Sequence, residues 1–443
     1  MLFRSSPVSV SRFNERRFQK GTLAGTRFLA VSSLAGLAPV ATLLETRERF
    51  YNRGMTDANS RAFTRIAAVR PQWVGVKDAH AALGLEGRVL LHAGPPLRDP
   101  TRPPPPMLNS AVLSCLHEGW AANEAEAETL LARGEVRLEP SFRHGVAIPL
   151  VSMVSPKTTL AVIADGDRRY YAFVGTGGGA QQRFGSRDAA ILGRLAFRER
   201  ELAPGFAELL DAPVDLLSIA RAAIREGDDL HNRLSSATTV LHAVLSTRKA
   251  DSEAAKAALK TVAEAPLYFL NFWMPACQLM LLAAQGEAGS TIVTRLCANG
   301  QETGIQLAGL PGEWFTAPAA LVQGPFMKGA PENPQLPPAT GDSGVIDAFG
   351  LGGQGLRHAP SLQAAFAQWL ASDDDARARR ILLDQHPILE TPVGLDAAAV
   401  AAEGRSPLLS TGMVSADGRG LLGRGICAMP VQLFADAVAR LRR

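Results

Sequence analysis

The spacing of hydrophobic and polar positions changes along the chain and predicts where helices and strands lie. Between residues 57 and 69, apolar residues recur at helical spacing, and either Thr56 or Asp57 is expected to cap the start of this helix. Residues 89–92 (VLLH) form a short apolar run typical of a buried strand. Residues 137–174 alternate between apolar and polar positions, which predicts several short strands. The proline-rich residues 93–106 predict irregular structure.

Two further regions show sustained helical periodicity. Residues 111–131 predict one helix, and residues 187–285 predict a nearly continuous helical region. Within that region we expect helices at 187–210 (broken at Pro204), 215–226, 231–245 and 251–264, and a core helix at 271–284, which is apolar on nearly every face. After it, strand-like residues 408–415 and a closing helix over 431–443 are expected. Short strands and helices therefore flank a helical block.

This order of elements predicts an α+β fold, a mixed body of short strands and helices with an inserted, mainly helical subdomain. The expected boundaries are 1–54 for a basic N-terminal extension, 55–185 for an α+β domain, 186–285 for the helical subdomain and 286–443 for a glycine-rich α+β domain. We expect residues 1–53 to be dispensable for the fold.

Composition and charge narrow the possible functions. The net charge of the chain is +4, and residues 1–53 contain nine basic and three acidic side chains. The rest of the chain is therefore nearly neutral, so no nucleic-acid partner is expected. The apolar run at 28–44 is too short and broken to predict a membrane span. Four scattered cysteines favour free thiols in a reducing, cytoplasmic location. No spacing typical of a metal site or of a cofactor is present, and none is expected.

Glycine-rich stretches carry the candidate chemistry. Residues 289–360 contain glycines every few positions with single polar groups between them, a density that suits tight turns or close approach to a ligand. Residues 175–179 (GTGGG), with Gly177 and Gly178 at their centre, suit either a cradle for phosphate or carboxylate or a hairpin turn. The charged run 226–233 (EGDDLHNR) is expected to be a solvated junction between helices, with an acidic metal site as the less favoured alternative.

Short motifs in a fixed order resemble those of one family from about residue 55 to the C-terminus. They are 91–96 (LHAGPP), 118–119 (EG), 183–185 (RFG), 227–228 (GD), 231–233 (HNR), 269–271 (FLN), 289–291 (GST), 293–294 (VT), 299–300 (NG), 304–305 (GI), 314–318 (WFTAP), 341–343 (GDS), 352–353 (GG), 391–394 (TPVG) and 411–412 (TG). Together they resemble the oxamate carbamoyltransferase subunit family. The chain looks like a divergent member of it.

The resemblance implies an α+β protein that acts as one subunit beside an acyl-CoA-synthetase-like subunit and a second accessory subunit. The family's reaction interconverts oxalurate plus phosphate with oxamate plus carbamoyl phosphate in allantoin catabolism, a branch of purine degradation and nitrogen metabolism. Self-association into a homo-oligomer is compatible with the sequence.

The chain departs from the family pattern at three places. Where the family has a Cys and three consecutive His after the proline at Pro140, residues 141–144 are SFRH, so only His144 remains. Thr176 replaces a glutamate, and a histidine usual after residues 411–412 is absent. These losses of polar groups leave the substrate open, while the fold should be retained.

Carbamoyl transfer requires groups that bind anions, a donor that polarises the carbamoyl oxygen, and a base. The expected catalytic residues are Glu302, Asp342, His231 and His144. The expected substrate-binding residues are Arg183, Arg233, Arg295, Asn232, Asn299, Gly177, Gly178, Ser343 and His92. We expect them to converge on one cleft. In this hypothesis Asn299 orients an amide, and either Glu302 or Asp342 accepts the proton.

Two functions stay open at this point. The first is a catalytic transferase subunit that acts on oxamate, oxalurate or a related small amide or ureido carboxylate, with carbamoyl phosphate. The second is a non-catalytic scaffold subunit that stabilises an acyl-CoA-synthetase-like partner. The retained residues around 231, 299, 302 and 342 favour the first function, and the reduced histidine cluster at 141–144 favours the second.

Overall fold

The computed structural model describes residues 56–443, so the predicted extension at 1–54 lies outside the described residues. The α-helices there are α1 (Asp57–Ala68), α2 (Ala79–Leu83), α3 (Pro105–Glu118), α4 (Glu124–Ala132), α5 (Ala190–Phe197), α6 (Ala203–Leu209), α7 (Leu216–Arg225), α8 (Ser235–Ser246), α9 (Glu253–Ala263), α10 (Leu270–Leu282), α11 (Gly344–Phe349), α12 (Pro360–Phe366), α13 (Asp374–Ile381), α14 (Ala397–Glu403) and α15 (Val431–Leu441).

The strands form several small sheets. They are β1 (Gln72–Asp78), β2 (Val89–His92), β3 (Arg137–Pro140), β4 (Val146–Ala147), β5 (Thr159–Asp165), β6 (Arg168–Phe173), β7 (Val214–Asp215), β8 (Val293–Asn299), β9 (Glu302–Leu307), β10 (Leu310–Pro318), β11 (Thr340–Gly341), β12 (Leu382–Gln385), β13 (Pro392–Leu395), β14 (Leu408–Val414) and β15 (Leu421–Ala428).

A five-stranded sheet has the order β4-β6-β5-β1-β7, and a four-stranded sheet has the order β10-β9-β8-β11. Three two-stranded sheets pair β2 with β3, β12 with β13 and β14 with β15. Apart from the parallel pairs β2–β3 and β4–β6, neighbouring strands run antiparallel. Together with the helices, this arrangement confirms the α+β class.

Local signals explain the helix boundaries near the start of the described chain. The Thr56 hydroxyl accepts a hydrogen bond from the Asn59 amide at 3.2 Å. Thr56 therefore caps α1, and the helix begins at the predicted residue, Asp57. The single helix expected at 111–131 is wrong, because Gly119 adopts a left-handed conformation (φ 77°) that ends α3. The helix also begins earlier than expected. Pro105 and Pro106 lie in its first turn, where a missing N–H costs nothing.

The helical region contains a π-helical turn at Arg198–Leu202. We expected Pro204 to break a helix over 187–210, but helical structure continues from Ala190 to Leu209 through α5, this turn and α6. Pro204 lies at the start of α6, directly after the π-turn, where its missing N–H can be tolerated. The remaining helices lie close to their predicted positions, except that α8 begins only at Ser235.

The main core is built around α10. Every residue from Leu270 to Leu281 is buried, as its all-round apolar sequence predicted. Trp73 of β1 stacks on Phe272 with ring centroids 4.0 Å apart, and Phe206 of α6 packs edge-on at 5.2 Å from Trp73. Burying one such aromatic side chain contributes roughly 1.5–3 kcal/mol.

This core also includes residues from each of the three body segments expected from the sequence, and Gly54–Arg443 forms one compact unit. The finer division of the body at residues 185 and 285 stays a prediction. Within residues 56–443, no helix is both long enough and apolar enough to cross a bilayer.

Candidate active site

A cleft containing two arginines lies where several of the glycine-rich and polar motifs meet. Its polar wall consists of Arg183, His231, Asn232, Ser343, Thr411 and Arg424. Leucines, including Leu150 and Leu270, form much of the apolar wall. The cleft encloses about 460 Å³ free of protein atoms, part of it open to solvent. We call it the two-arginine cleft. The motifs RFG, HNR, GDS and TG therefore converge in space, although they are far apart in sequence.

Arg183 is a buried cation that pairs with no carboxylate of residues 56–443. The residue is 8% exposed, and its Nε atom has no hydrogen-bond partner among the described residues. Its guanidinium carbon lies 4.8 Å from the centre of the Phe184 ring, which fixes the side chain through a cation–π contact. Burial, and after it the nearby charge of Arg424, lower the pKa of Arg183 to about 10. A desolvated, unpaired cation is costly, which suggests that an anion completes the site.

Arg424 projects into the same cleft from β15. One terminal nitrogen donates to the main-chain carbonyl of Asn232 at 2.7 Å, which anchors the guanidinium beside the loop that carries His231. Burial lowers the pKa of Arg424, and the charge of Asp229 opposes that shift. We did not identify Arg424 from the sequence. Its glycine-flanked context, LLGRGI, resembles the arginine-plus-glycine pattern that drew attention to Arg183.

His231 is backed by a buried carboxylate. Its Nδ1 atom lies 2.9 Å from Oδ2 of Asp347, a fully buried residue of α11. The other oxygen of Asp347 accepts from the backbone amides of Gly353 at 2.7 Å and Ser410 at 3.2 Å. Burial raises the pKa of Asp347, while the facing His231 opposes the shift. Sequence reasoning missed Asp347, although a lone acid in the apolar helix GVIDAF could have signalled a paired group.

Residues 228–232 of the charged run are buried, so the expected solvated junction is wrong for most of it, although Glu226 is exposed. Asp229 explains why. Its carboxylate accepts from the backbone amides of His231 at 3.2 Å, Asn232 at 3.0 Å and Arg233 at 2.7 Å. A carboxylate supplied with several N–H donors can be buried without a cation, and it shapes the backbone into a tight loop. The loop therefore presents His231 and Asn232 to the cleft.

Backbone strain coincides with the cleft. Leu230, directly before His231, has φ 62° and is fully buried, and Leu150 of the cleft wall has φ 51°. Only one other non-glycine residue in the described range, Glu390, has positive φ. Such conformations cost about 1–3 kcal/mol and tend to cluster at functional sites. Their position here supports a functional role for the cleft.

Arg295 and Asp342 lie in a second, smaller cavity with about 240 Å³ of atom-free space, part of it open to solvent. Asp342 accepts hydrogen bonds from Gly94 N at 2.7 Å, Ser141 Oγ at 2.7 Å and Ile148 N at 2.8 Å. Burial raises the pKa of Asp342 to about 6, although these hydrogen bonds and the charge of Arg295 act to lower it. Asp342 lines this cavity, and the next residue, Ser343, lines the two-arginine cleft. The two sites are therefore neighbours.

Arg295 makes only neutral contacts in this cavity. It donates to the Tyr170 hydroxyl at 2.9 Å and lies near Gln278 Oε1 at 3.4 Å. Its guanidinium carbon is 5.2 Å from the centre of the Phe142 ring. The arginines expected to act together are therefore divided, with Arg183 in the cleft and Arg295 in the neighbouring cavity.

Asn299 and Glu302 lie outside both cavities. Asn299 is buried. Its amide donates to the Pro95 carbonyl at 3.0 Å and accepts from the amides of Gln301 and Glu302 at 2.9 and 2.8 Å. The Glu302 carboxylate pairs with the exposed Arg98 at 2.6 Å. These contacts account for both side chains as parts of a turn, and their substrate roles stay predictions.

Three further candidates also lie away from the cleft. His144 contacts Glu139 at 2.9 Å. Arg233 donates to the Gly227 carbonyl at 2.9 Å and lies 3.4 Å from Asp228. His92 is buried against the Ala93 carbonyl at 2.8 Å, and burial lowers its pKa to about 4, so the ring is neutral at pH 7.

The loop at 175–179 is not a hairpin turn, because β6 pairs only with β4 and β5. Gly177 has φ 86°, and a Cβ atom there would lie 3.1 Å from a Thr261 methyl carbon. Arg194 donates to the carbonyls of Thr176 and Gly178, so this loop uses its carbonyl groups to bind a cation of the chain itself. Among residues 56–443, no cluster of three or more His, Cys, Asp or Glu is arranged to hold a metal ion.

The fold and site define an α+β protein with a cationic cleft and a histidine–aspartate pair. A family model described as oxamate carbamoyltransferase subunit AllG matches residues 136–343. The chain is 29% identical over 411 residues to the oxamate carbamoyltransferase subunit AllG of Escherichia coli (strain K12), which covers 87% of this chain and 97% of the relative. It is 28% identical over 404 residues to the uncharacterized protein YahG of the same organism, covering 86% and 84% respectively.

Similarity extends to a solved structure. A conserved protein of unknown function from Enterococcus faecalis V583 matches with a TM-score of 0.80 at 25% identity, and the match covers 87% of this chain and 97% of that one. The chain is therefore similar to oxamate carbamoyltransferase subunit AllG, through the family model over residues 136–343 and through the relative over most of its length.

Proposed function

We propose that this chain is a catalytic subunit of a carbamoyltransferase that uses carbamoyl phosphate and oxamate, or oxalurate and phosphate in the reverse direction. A related small amide or ureido carboxylate is the alternative substrate. The relative named as an oxamate carbamoyltransferase subunit supports this reaction. The observation that carries the proposal is that two arginines without carboxylate partners share one cleft with the His231–Asp347 pair.

The chemistry follows from these groups. In the carbamoylating direction, the oxamate amide nitrogen forms a bond to the carbamoyl carbon, and the bond from that carbon to the phosphate oxygen breaks. The electron pair of the broken bond leaves with phosphate, and the proton of the attacking nitrogen passes to His231. With Nδ1 facing Asp347 at 2.9 Å, Nε2 is the basic nitrogen of His231.

Each polar group has a role in this scheme. Asp347 stabilises the imidazolium that forms when His231 accepts the proton. The arginines offset charge on the phosphate as it leaves. Asn232 and Ser343 line the cleft, and in this proposal they bond the carbamoyl group. The partners in this proposal are an acyl-CoA-synthetase-like subunit and a second accessory subunit, in the cytoplasm.

A non-catalytic scaffold role is the second candidate. Leu321, Phe326 and Met327 are the exposed large hydrophobic residues of the described chain, and they fall within seven positions. Such a patch suits contact with another protein. This observation would also fit a catalytic subunit, so the test must address chemistry.

The test is His231→Gln in the complex reconstituted with its partner subunits, assayed for carbamoyl phosphate formed from oxalurate and phosphate. In this direction the protonated His231 returns its proton to the leaving oxamate nitrogen, so loss of this acid–base group predicts a fall in kcat of about 100-fold or more. The matched control is His242→Gln on α8, a half-buried histidine outside the cleft, which should keep the activity. Full activity of the His231 variant in an intact complex would reject the catalytic role and leave the scaffold role.

A further inference from the structure

The charge of the two-arginine cleft is unbalanced. Arg183 and Arg424 lie on its wall, whereas no aspartate or glutamate of the described chain lines it. Asp229 attracts Arg424 electrostatically, but its oxygens accept from the amides of the 231–233 backbone. Asp347 faces His231 instead. The side chains that line the cleft therefore include two arginine cations and no carboxylate of the described chain.

The two cations also oppose each other. Burial is the largest cause of the lowered pKa of Arg183, and the charge of Arg424 is the next. Two like charges in a partly desolvated site are unfavourable until counter-charge arrives. A ligand with one negative charge offsets only one of these like charges, and a ligand with two offsets both.

The geometry of the arginines leaves donors free for such a ligand. Arg183 is held by its contact with the Phe184 ring, and Arg424 is anchored by one nitrogen on the Asn232 carbonyl. The remaining guanidinium N–H groups suit bidentate bonds to phosphate oxygens. Apolar neighbours such as Leu150 exclude water from one side of the cleft and strengthen these bonds.

We infer that the Arg183–Arg424 pair selects a tetrahedral dianion, and that it binds inorganic phosphate or the phosphate end of carbamoyl phosphate rather than the carboxylate of oxamate. The identity of the anion rests on the proposed function. The neighbouring cavity lacks this imbalance, because Asp342 lies beside its single cation, Arg295. The carboxylate substrate must then be bound by other groups, on this chain or on a partner subunit.

The test is isothermal titration of the purified full chain with four anions at constant ionic strength and pH 7.5. Phosphate and sulfate are tetrahedral and largely doubly charged there, perchlorate is tetrahedral and singly charged, and oxamate is a singly charged carboxylate. We expect phosphate and sulfate to bind, and perchlorate and oxamate to bind at least about 10-fold more weakly. Arg183→Gln and Arg424→Gln should each weaken phosphate binding by about 10- to 100-fold.

The control is Arg143→Gln, which removes one exposed positive charge outside the cleft and should change phosphate binding less than about 2-fold. If circular dichroism shows that Arg183→Gln does not fold, Arg424→Gln tests the arginine dependence of phosphate binding, because Arg424 is only half-buried. Oxamate or perchlorate binding as tightly as phosphate, phosphate binding unchanged in the Arg424 variant, or no binding of phosphate or sulfate would each overturn the inference.

The result also separates this inference from the proposed function. Arginine-dependent phosphate binding with no carbamoyl transfer in the reconstituted complex would reject the transferase but retain the dianion site. If carbamoyl transfer persists and phosphate binding is unchanged in both arginine variants, the dianion site is rejected and the transferase is retained.

Discussion

Arg424 donates a hydrogen bond to the main-chain carbonyl of Asn232 at 2.7 Å, across 192 positions of sequence. The bond joins β15 of the C-terminal β-hairpin to the loop that carries His231. Asn232 also donates from its side chain to Ser410 of β14 at 2.8 Å, so both strands of the hairpin hold this loop. The catalytic candidate and one of the two cleft cations are therefore positioned by the same contacts.

Asp347→Asn tests the support of His231. The variant keeps the size of the side chain but removes the charge that would stabilise a protonated His231 at 2.9 Å. We expect kcat for carbamoyl transfer to fall by about 100-fold or more, because proton transfer is impaired. Phosphate affinity should stay within about 3-fold, since Asp347 does not line the cleft. Equal losses in kcat and in phosphate affinity would instead indicate a collapsed site.

Gly352→Ala tests the packing behind the same pair. A Cβ atom there would lie 2.9 Å from His231 Nδ1 and 2.6 Å from Asp347 Oδ1. The matched control is Gly404→Ala, because Gly404 also has a left-handed backbone (φ 64° against 55°) but has open space around its Cβ position. Both variants should lose about 1–2 kcal/mol of unfolding free energy from backbone strain. Transfer activity should fall only in Gly352→Ala, and a similar loss in both would contradict the packing argument.

The raised pKa of Asp342 predicts how the stability of the protein depends on pH. Burial raises the folded-state pKa of Asp342 to about 6 from an ordinary value of 3.8. The neutral acid is therefore favoured by folding. This stabilisation is complete below the unfolded pKa and is lost as pH rises through about 6. Between pH 7.5 and pH 5, the wild-type protein should gain about 1.4 kcal/mol of unfolding free energy relative to Asp342→Asn.

Urea unfolding of both proteins at each pH measures this difference. Asp228 also has a pKa raised to about 6 by burial, but it is present in both proteins and its contribution cancels. Parallel stability curves for the two proteins would show that Asp342 does not titrate in this window.

Two helical glycines predict opposite effects on stability. A Cβ atom at Gly205 of α6 would lie 2.2 Å from the Ala254 carbonyl oxygen, so alanine there should cost about 1–3 kcal/mol by forcing α6 and α9 apart. Gly193 of α5 has open space around its Cβ position, so alanine there should add about 0.5–1 kcal/mol. Denaturant unfolding of Gly205→Ala and Gly193→Ala measures both. Equal effects would reject the close helix contact.

Much of the fold could be predicted because its signals are local. Ser252 caps α9 through a 3.0 Å bond to the Ala255 amide, and the all-round apolar sequence of α10 marks a buried helix. The π-turn before Pro204 was not predictable, because how the chain accommodates a missing N–H depends on the packing of both flanking helices.

The candidate site was predicted only in part. Arg183, His231, Asn232 and Ser343 were identified from glycine-rich motifs and from the family resemblance, and they share one cleft. Arg295 was assigned to the same group, but a separate cavity holds it. Equivalent residue types in similar glycine-rich contexts cannot be sorted between neighbouring cavities by sequence alone.

The sequence by itself determined the α+β class, most helix and strand positions and the family resemblance, because periodicity, caps and ordered motifs act over a few residues. Tertiary structure alone decided that 228–232 is buried, that Asp347 backs His231, and that Arg424 joins Arg183. The physical reason is that the burial of a charge depends on which distant donors and acceptors surround it. Backbone amides satisfy Asp229, while Nε of Arg183 has no hydrogen-bond partner among the described residues.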